Sequence, residues 1–378
     1  MAKTVKTIGT HSGTFHCDEA LGCFLLRRTK LFANAKVTRT RDEQVLQNLD
    51  CVIDVGGVYD HGKHRYDHHQ RGFSEFFGHD AYHNTKLSSA GLVYRHYGKE
   101  VIARETGLDE EHPDTNVLFL AMYKHFIEGV DAIDNGVEQY RAKVEAKQSK
   151  RQRTGGEGER EGEGEGEQEE EEDVDYEVTL EKVYLEGTGL ASRVGALNAA
   201  WNEDASAEVQ DARFKEASEM AGKEFLSKLT YLHRSWLPAR EIVKQAMISR
   251  YDVDDSGKIM KLDRYCPWKD HLFELEMEEW RDHPEGDMPR VLYCLYEDDR
   301  EKKWRIMSVP ELGGSAFSQR KPLPGHWCGL RDIALDAVTG VPGCTFVHAA
   351  GFTGGHSTYE GIVKLAQMAI TDTCCCCQ

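Results

Sequence analysis

A chain of 378 residues is too long for one small core and suggests two domains. Apolar residues make up 40% of it, mean hydropathy is −0.58, and no apolar run reaches the length of a membrane span, which describes a soluble globular protein. Of the formal charge of −18, residues 155–177 carry most, with 13 acids and one base, Arg160, so the overall acidity does not exclude a polyanionic substrate.

Eleven cysteines include the terminal Cys374 to Cys377, and the other seven form no C-x-x-C pair. That usage fits a reducing, intracellular compartment rather than a disulfide framework. The first periodic segment begins near Val5, which leaves no room for a cleaved leader.

In chain order, Val5 to Gly9 is predicted as a strand that runs into T-H-S-G-T-F-H-C-D-E-A-L-G, residues 10–22. His11, His16, Asp18 and Glu19 follow the strand end, and Ala20 to Arg28 is predicted as a helix with Leu21, Leu25 and Leu26 inward. Val37 to Thr40 is a second strand and Asp42 to Leu49 a short helix. Cys51-Val52-Ile53 is a third, buried strand ending on Asp54 and the Gly56-Gly57 turn, with Asp67, His68 and His69 just beyond. Imidazole and carboxylate this dense, with no cysteine pair nearby, suit Mn²⁺, Mg²⁺ or Zn²⁺. Two strand ends thereby deliver ligands to one sheet edge, as a two-metal site requires, its ions ~3.5–4 Å apart sharing a carboxylate.

A helix is predicted from Ser88 or Ser89 and a strongly apolar one over Asn116 to Glu128, leading to G-V-D-A-I-D-N-G at 129–136. Asp131 and Asp134 stand three apart there, on one face of a turn, either as ligands or as ordinary capping acids. Residues 147–153 are basic and 155–172 a Gly-Glu repeat with nothing to bury. The stretch 147–176 reads as a disordered, solvated insert; a nuclear-import signal beside an acidic segment is the other reading. Leu190 to Trp201 and Ala212 to Leu232 are predicted amphipathic helices closing a first domain over 1–240.

From about Ile242 the pattern changes to strands, which places a smaller α+β domain over 241–378. Ile259 to Leu262 is one strand, and two more flank the turn Glu297 to Lys303 as a hairpin. Cys344 to His348 is the last strand and feeds a glycine loop, G-F-T-G-G-H-S at 351–357, before an apolar helix to Ile370. Backbone N–H groups of such a loop, with Arg331 and His356 nearby, favour phosphate.

Taken jointly, these motifs resemble the DHH-type phosphoesterases, and most closely the melanocyte-proliferating-gene family of RNA exonucleases. The matching stretches are residues 10–22, V-I-D-V-G-G-V-Y-D at 52–60, H-R-Y-D-H-H-Q-R-G-F at 64–73 and V-D-A-I-D-N-G at 130–136. The C-terminal half adds G-G-S-A-F-S-Q-R-K-P-L-P at 313–324, W-C-G-L-R-D at 327–332 and residues 351–357. The resemblance implies an α/β fold, a DHH-like parallel-sheet domain plus a smaller α+β domain across a cleft. It implies His11, His16, Asp18, Asp54, His68 and Asp131 as ligands of two Mn²⁺ or Mg²⁺ ions, with Asp54 bridging. Asp54, His68 and His69 would stand at the reacting centre, while Asp67 and Asp134 brace the ligands and His69 helps to brace its loop. Arg320, Lys321, Arg331, Gly354, Gly355 and His356 would hold the phosphate or the RNA backbone. Many DHH enzymes carry aspartate where His16 stands. Such a site needs no thiol, so Cys17 is not expected to be a nucleophile.

The activity implied is 3′→5′ hydrolysis of RNA, without a membrane partner, in the cytoplasm or nucleus and, by the resemblance alone, the mitochondrion. A small-molecule phosphohydrolase acting on a pyrophosphate, a short oligonucleotide or a cyclic dinucleotide would use the same metal site. A non-catalytic RNA-binding relative is the third reading.

Overall fold

The computed structural model describes residues 5–78, 85–137, 141–146, 176–181, 187–282, 288–313 and 318–373. The insert expected at 147–176 lies outside the described residues except for Tyr176, as does the cysteine tail. The chain divides into two compact units, Met1–Glu110 with Phe119–Leu226, and Glu111–Leu118 with Ser227–Gln378.

In the first unit a five-stranded sheet is built from β1 (Thr7–Thr10), β2 (Lys36–Arg39), β3 (Cys51–Ile53), β4 (Tyr59–Asp60) and β5 (Arg65–Tyr66), in the order β2-β1-β3-β5-β4. All neighbours are parallel except the β4–β5 hairpin, so β1, β2, β3 and β5 share one carboxyl edge. The strands are short apolar runs whose Ile8, Val52, Ile53 and Tyr66 are almost wholly buried. Helix α1 (Cys17–Arg27) follows β1, and α2 (Glu43–Gln47) follows β2. Helix α3 (Ser89–Thr106) is capped by Ser88 and stopped by left-handed Gly107. Leu21 and Leu25 of α1 and Leu92 and Val93 of α3 are fully buried as the two helices pack together. Bare Gly22 allows that approach, since even a built Cβ there lies 3.8 Å from the Ala90 Cα.

A continuous helical run follows as α4 (Pro113–Met122), a π-helical turn at Tyr123–Ile127 and α5 (Glu128–Asp134). Asp131 and Asp134 therefore belong to a helix and not to the turn expected after it. The unit also holds the two-stranded ribbon β6 (Arg141–Ala146) and β7 (Tyr176–Glu181) and helix α6 (Leu190–Gly195); helix α7 (Ala207–Tyr231) then runs to the unit's end at Leu226 and beyond it. The helix expected to reach Trp201 ends at Gly195, and Trp201 stands in a turn, 96% exposed.

A ring network holds the β4–β5 hairpin to α3. His61 stacks on His96 with centroids 3.7 Å apart, His61 Nδ1 meets Tyr66 OH at 2.8 Å, and Tyr59 OH meets His96 Nε2 at 2.8 Å. Tyr97 OH joins His64 Nδ1 at 2.9 Å and accepts from Tyr66 OH at 3.1 Å. Burial, and then the charges of His61 and Arg95, lower the pKa of His96 from 6.5 to about 4, and burial lowers that of His64. The unfolded chain thus binds protons that the folded hairpin refuses. Stability should be undiminished by these groups above pH 6.5 and should fall as pH drops from 6.5 towards 4. Melting curves across that window should show the decline, and His96→Gln should flatten it; an unchanged slope would remove this network as the cause.

The second unit contains α8 (Leu237–Ile248), α9 (Arg250–Val253), β8 (Ile259–Lys261), α10 (Lys269–Asp282), β9 (Tyr293–Glu297) and β10 (Trp304–Ser308). These are followed by α11 (Asp332–Thr339), β11 (Cys344–Val347), β12 (Thr353–His356) and α12 (Tyr359–Thr371). Its sheet runs β11-β12-β10-β9-β8, antiparallel but for the β8–β9 pair. One core joins Ile306, Leu335, Ile362 and Leu365, and another joins Val243, Met260, Trp268 and Leu272. Two expectations are corrected. The chain remains helical past Ile242 to Ile248, because Val243, Ala246 and Met247 recur at helical spacing and are all buried. The glycine loop of 351–357 is in large part strand β12, an inner strand paired on both edges.

His356 at the end of β12 is 2% exposed; its Nδ1 accepts from Thr358 N at 3.0 Å and its Nε2 donates to Pro342 O at 3.0 Å. It packs on Gly361, where a Cβ would fall 1.9 Å from the ring. Gly361→Ala should therefore cost about 1–3 kcal/mol of stability through overpacking, read by denaturant unfolding; a loss under about 0.5 kcal/mol would show that the ring moves aside freely.

Candidate metal centre

The site gathers at the carboxyl edge of the first unit's sheet. Three groups bring potential ligand atoms within 4.8 Å of one another: His11, His16, Glu19 and Asp54; Asp54, Asp67, His68 and His69; and Asp18, His68 and Asp134. Asp54 belongs to the first two and His68 to the last two.

Asp54 follows β3 with φ +58°, a left-handed conformation rare for a residue with a Cβ, and its N–H donates to Tyr66 O at 3.1 Å. That turn swings the carboxylate off the sheet. Its Oδ2 lies 3.3 Å from His11 Nε2, and its Oδ1 accepts from Ser89 Oγ at 3.1 Å and lies 3.3 Å from His69 Nδ1. Burial works against ionisation, yet the hydrogen bonds from His11 and His69 hold the Asp54 carboxyl well below the usual carboxylate range. Reciprocally, burial would lower His11, but its bonds to Asp54 and Glu19 prevail and raise it from 6.5 to about 9.

Helix α1 supplies the next carboxylates. Glu19 is fully buried, accepts from His16 N at 2.9 and 3.0 Å in a capping box, and lies 3.0 Å from His11 Nε2. Asp18 is fully buried, and neither of its oxygens has a hydrogen-bond partner. Burial, then the charges of Asp54, Glu19 and Asp134, push its carboxyl well above the usual range. An orphaned buried carboxylate among three others, with imidazoles and no thiol in the donor set, is what a hard or borderline divalent cation satisfies. The residues fit such ions. Cys17 stays out of the chemistry: burial lifts its thiol to about 12.

The third supply comes from α3 and α5. His68 Nε2 lies 2.9 Å from Asp134 Oδ2, and its Nδ1 lies 3.2 Å from Ser89 Oγ. Asp131, expected as the ligand on α5, points elsewhere. It accepts from Ser88 N at 3.0 Å and Ser88 Oγ at 2.7 Å, and a Cβ on Gly91 would fall 2.4 Å from its Oδ1. Burial raises its pKa to about 7 against those bonds. Asp131 thus anchors the start of α3, and Asp134, expected only as a brace, takes the place beside His68. Asp67 accepts from Gly57 N at 2.6 Å and from His69 N at 2.9 Å, tying the glycine turn to the histidine pair.

Two site residues were not anticipated as ligands or liners. Glu19 could have been read from the capping-box spacing, His16 followed three residues later by glutamate. Arg41 borders the cavity of about 380 Å³ that His11, His16, Asp54, Asp67 and His69 enclose; no local motif marks it.

In the second unit the expected phosphate-holding residues are divided. Arg320 is buried in a two-pronged ion pair with Glu276 at 2.7 and 2.6 Å, and Lys321 Nζ donates to Ile370 O and Asp372 O at the end of α12. Both cations are committed to the protein, and His356 to the start of α12. Arg331 is exposed. Its guanidinium and that of Arg305 lie 5.7 and 5.2 Å from the Phe346 ring centre, beside a cavity of about 250 Å³. Gly355 sits next to them, where a Cβ would fall 2.9 Å from Arg305 Nη1, while Gly354 packs on Phe346 O and Val347.

A family model described as an uncharacterised protein family, UPF0160, and labelled MYG1 exonuclease, matches residues 7–157 and 166–370. The MYG1 exonuclease of Homo sapiens is 42% identical over 368 residues, covering 96% of this chain and 85% of the relative. That of Mus musculus is 41% identical over 367 residues, covering 96% and 84%. The MYG1 protein of Saccharomyces cerevisiae is 37% identical over 370 residues, covering 98% and 97%. No solved structure matches the chain.

If Asp18 is held for a cation, Asp18→Asn should raise the melting temperature of chelator-treated protein, since it removes a buried carboxylate from a crowd of them. The same variant should lose most of the stabilisation that Mn²⁺ gives the native chain. Equal Mn²⁺-induced shifts in the two proteins would show that Asp18 is not a ligand.

Proposed function

Since the chain belongs to the MYG1 family, UPF0160, we propose that it is a metal-dependent phosphodiesterase, a 3′→5′ exonuclease that hydrolyses RNA with two divalent cations, Mn²⁺ or Mg²⁺. The observation that carries the reading is the placement of Asp54, whose carboxylate belongs to two ligand groups at once. The nuclease activity follows the printed names of the relatives; RNA and the direction of cleavage follow the likeness of the sequence motifs.

Bound between those groups, two cations would lower the pKa of a water and neutralise the charge on a departing oxygen. The chain's own residues prepare the place. His11, with Glu19 and His16, would hold one ion, and Asp18, His68 and Asp134 the other. Ser89 and His69 keep the Asp54 carboxylate ionised and aimed between them. His69, 64% exposed at its side chain, is the imidazole that faces the cavity and can pass a proton to solvent. In the second unit, support for a phosphate contact narrows to Arg331 with Arg305 beside Gly355. No described helix is long and apolar enough to cross a membrane.

A small phosphoester as substrate is the second reading, favoured by the size of the cavity, which accommodates about one nucleotide. A labelled RNA of about 20 nucleotides and a dinucleotide, each digested with Mn²⁺ and with chelator, separate the two. Metal-dependent shortening of the RNA from its 3′ end is expected, and cleavage of the dinucleotide alone would favour the second reading. Asp54→Ala should abolish turnover at saturating metal; activity near that of the native chain would end the two-metal assignment.

A further inference from the structure

We propose that Arg41 is a substrate-binding residue of the metal centre, its two terminal nitrogens donating to non-bridging oxygens of the scissile phosphate. The proposal rests on the phosphodiesterase reading. It starts from a contrast between two arginines two residues apart, at the end of β2 and just beyond it, that reach the same loop. Arg39 donates to Gly13 O, pairs with Asp211 at 3.5 Å and lies over the rings of Phe15 and Phe214 at 5.3 and 4.9 Å. Its side chain is 3% exposed, and its task is to hold the loop between His11 and His16.

Arg41 is fastened at one point only. Its Nε donates to Ser12 O at 3.2 Å, while Nη2 stands 3.3 Å from His11 Nδ1. His11 Nε2 faces Glu19 and Asp54, on the ligand side, so the imidazole proton belongs on Nδ1, which lies 3.3 Å from Ser12 O. A protonated Nδ1 accepts nothing from Arg41, and the two N–H-bearing tips are left to the cavity. Among the described residues no carboxylate lies within ion-pair distance of Arg41, although the cavity it borders is lined by Asp54 and Asp67. A guanidinium kept unpaired beside a place for divalent cations makes sense with an anion between them. Its planar fork matches two phosphate oxygens, a geometry that lysine cannot copy.

The test uses the full chain, with Arg41→Ala and Arg41→Lys, and three readouts: bound Mn²⁺, the affinity of the Mn²⁺-loaded protein for inorganic phosphate, and single-turnover cleavage of a short RNA. Manganese content should be unchanged in both variants. Phosphate affinity and cleavage rate should each fall ~10- to 100-fold in Arg41→Ala, as expected for loss of a charge-assisted contact, and Arg41→Lys should restore only part. Phosphate affinity and rate within twofold of the native chain would overturn the proposal, as would loss of manganese from Arg41→Ala, which would make the residue a support for His11. A native chain without any metal-dependent hydrolysis would overturn the phosphodiesterase reading itself, and with it the substrate role of Arg41.

Discussion

Crowding of negative charge at one sheet edge is the constraint on which the first unit depends. Asp18 and Glu19 are fully buried, Asp54 and Asp67 nearly so, and Asp134 completes the group. Carboxylates this close cannot all stay ionised in a dry setting without cations to offset them. The protein supplies part of the compensation itself. Imidazoles of His11, His68 and His69 face the carboxylates, Ser88 and Ser89 donate hydroxyls, and the first turns of α1 and α3 add the positive ends of their backbone dipoles. What it leaves undone is concentrated on Asp18, and that residue marks the centre more plainly than any distance.

The same constraint explains local features that have no other purpose in the fold. Asp54 accepts a left-handed backbone so that its side chain can leave the sheet towards both ligand groups. Gly91 is bare because the Asp131 carboxylate occupies the space a Cβ would need. Asp131 in turn fixes the first turn of α3, from which Ser89 reaches Asp54 and His68.

Much of this edge was legible in the sequence because strand ends announce themselves. An apolar run stopping at Asp54 and glycines, and another stopping at a His-rich loop, place their polar residues without further information. The choice between Asp131 and Asp134 was not legible, since it depends on how α5 is turned about its axis. The second unit was read less well. Cations at Arg320 and Lys321 look free in a sequence, but their partners Glu276 and the carbonyls of α12 are more than forty residues away. A Gly-Gly pair between apolar residues reads as a loop by local preference, yet β10 and β11 pair with it from both sides and make it a strand. Helix α10 was missed altogether, with Leu272 and Leu275 its few buried apolar positions on a highly charged segment.

The π-helical turn at Tyr123–Ile127 has a consequence for how this chain can vary. Such a turn is one residue more than an α-helix would use over the same rise. Loss of a single residue there would restore regular winding and rotate everything after it by about 100° relative to Phe119 and Met122. Asp131 would leave Ser88 and Asp134 would leave His68 together, though neither had been altered. Length in this segment is therefore as constrained as the identity of the two aspartates, and substitutions within it should be tolerated far better than a one-residue deletion.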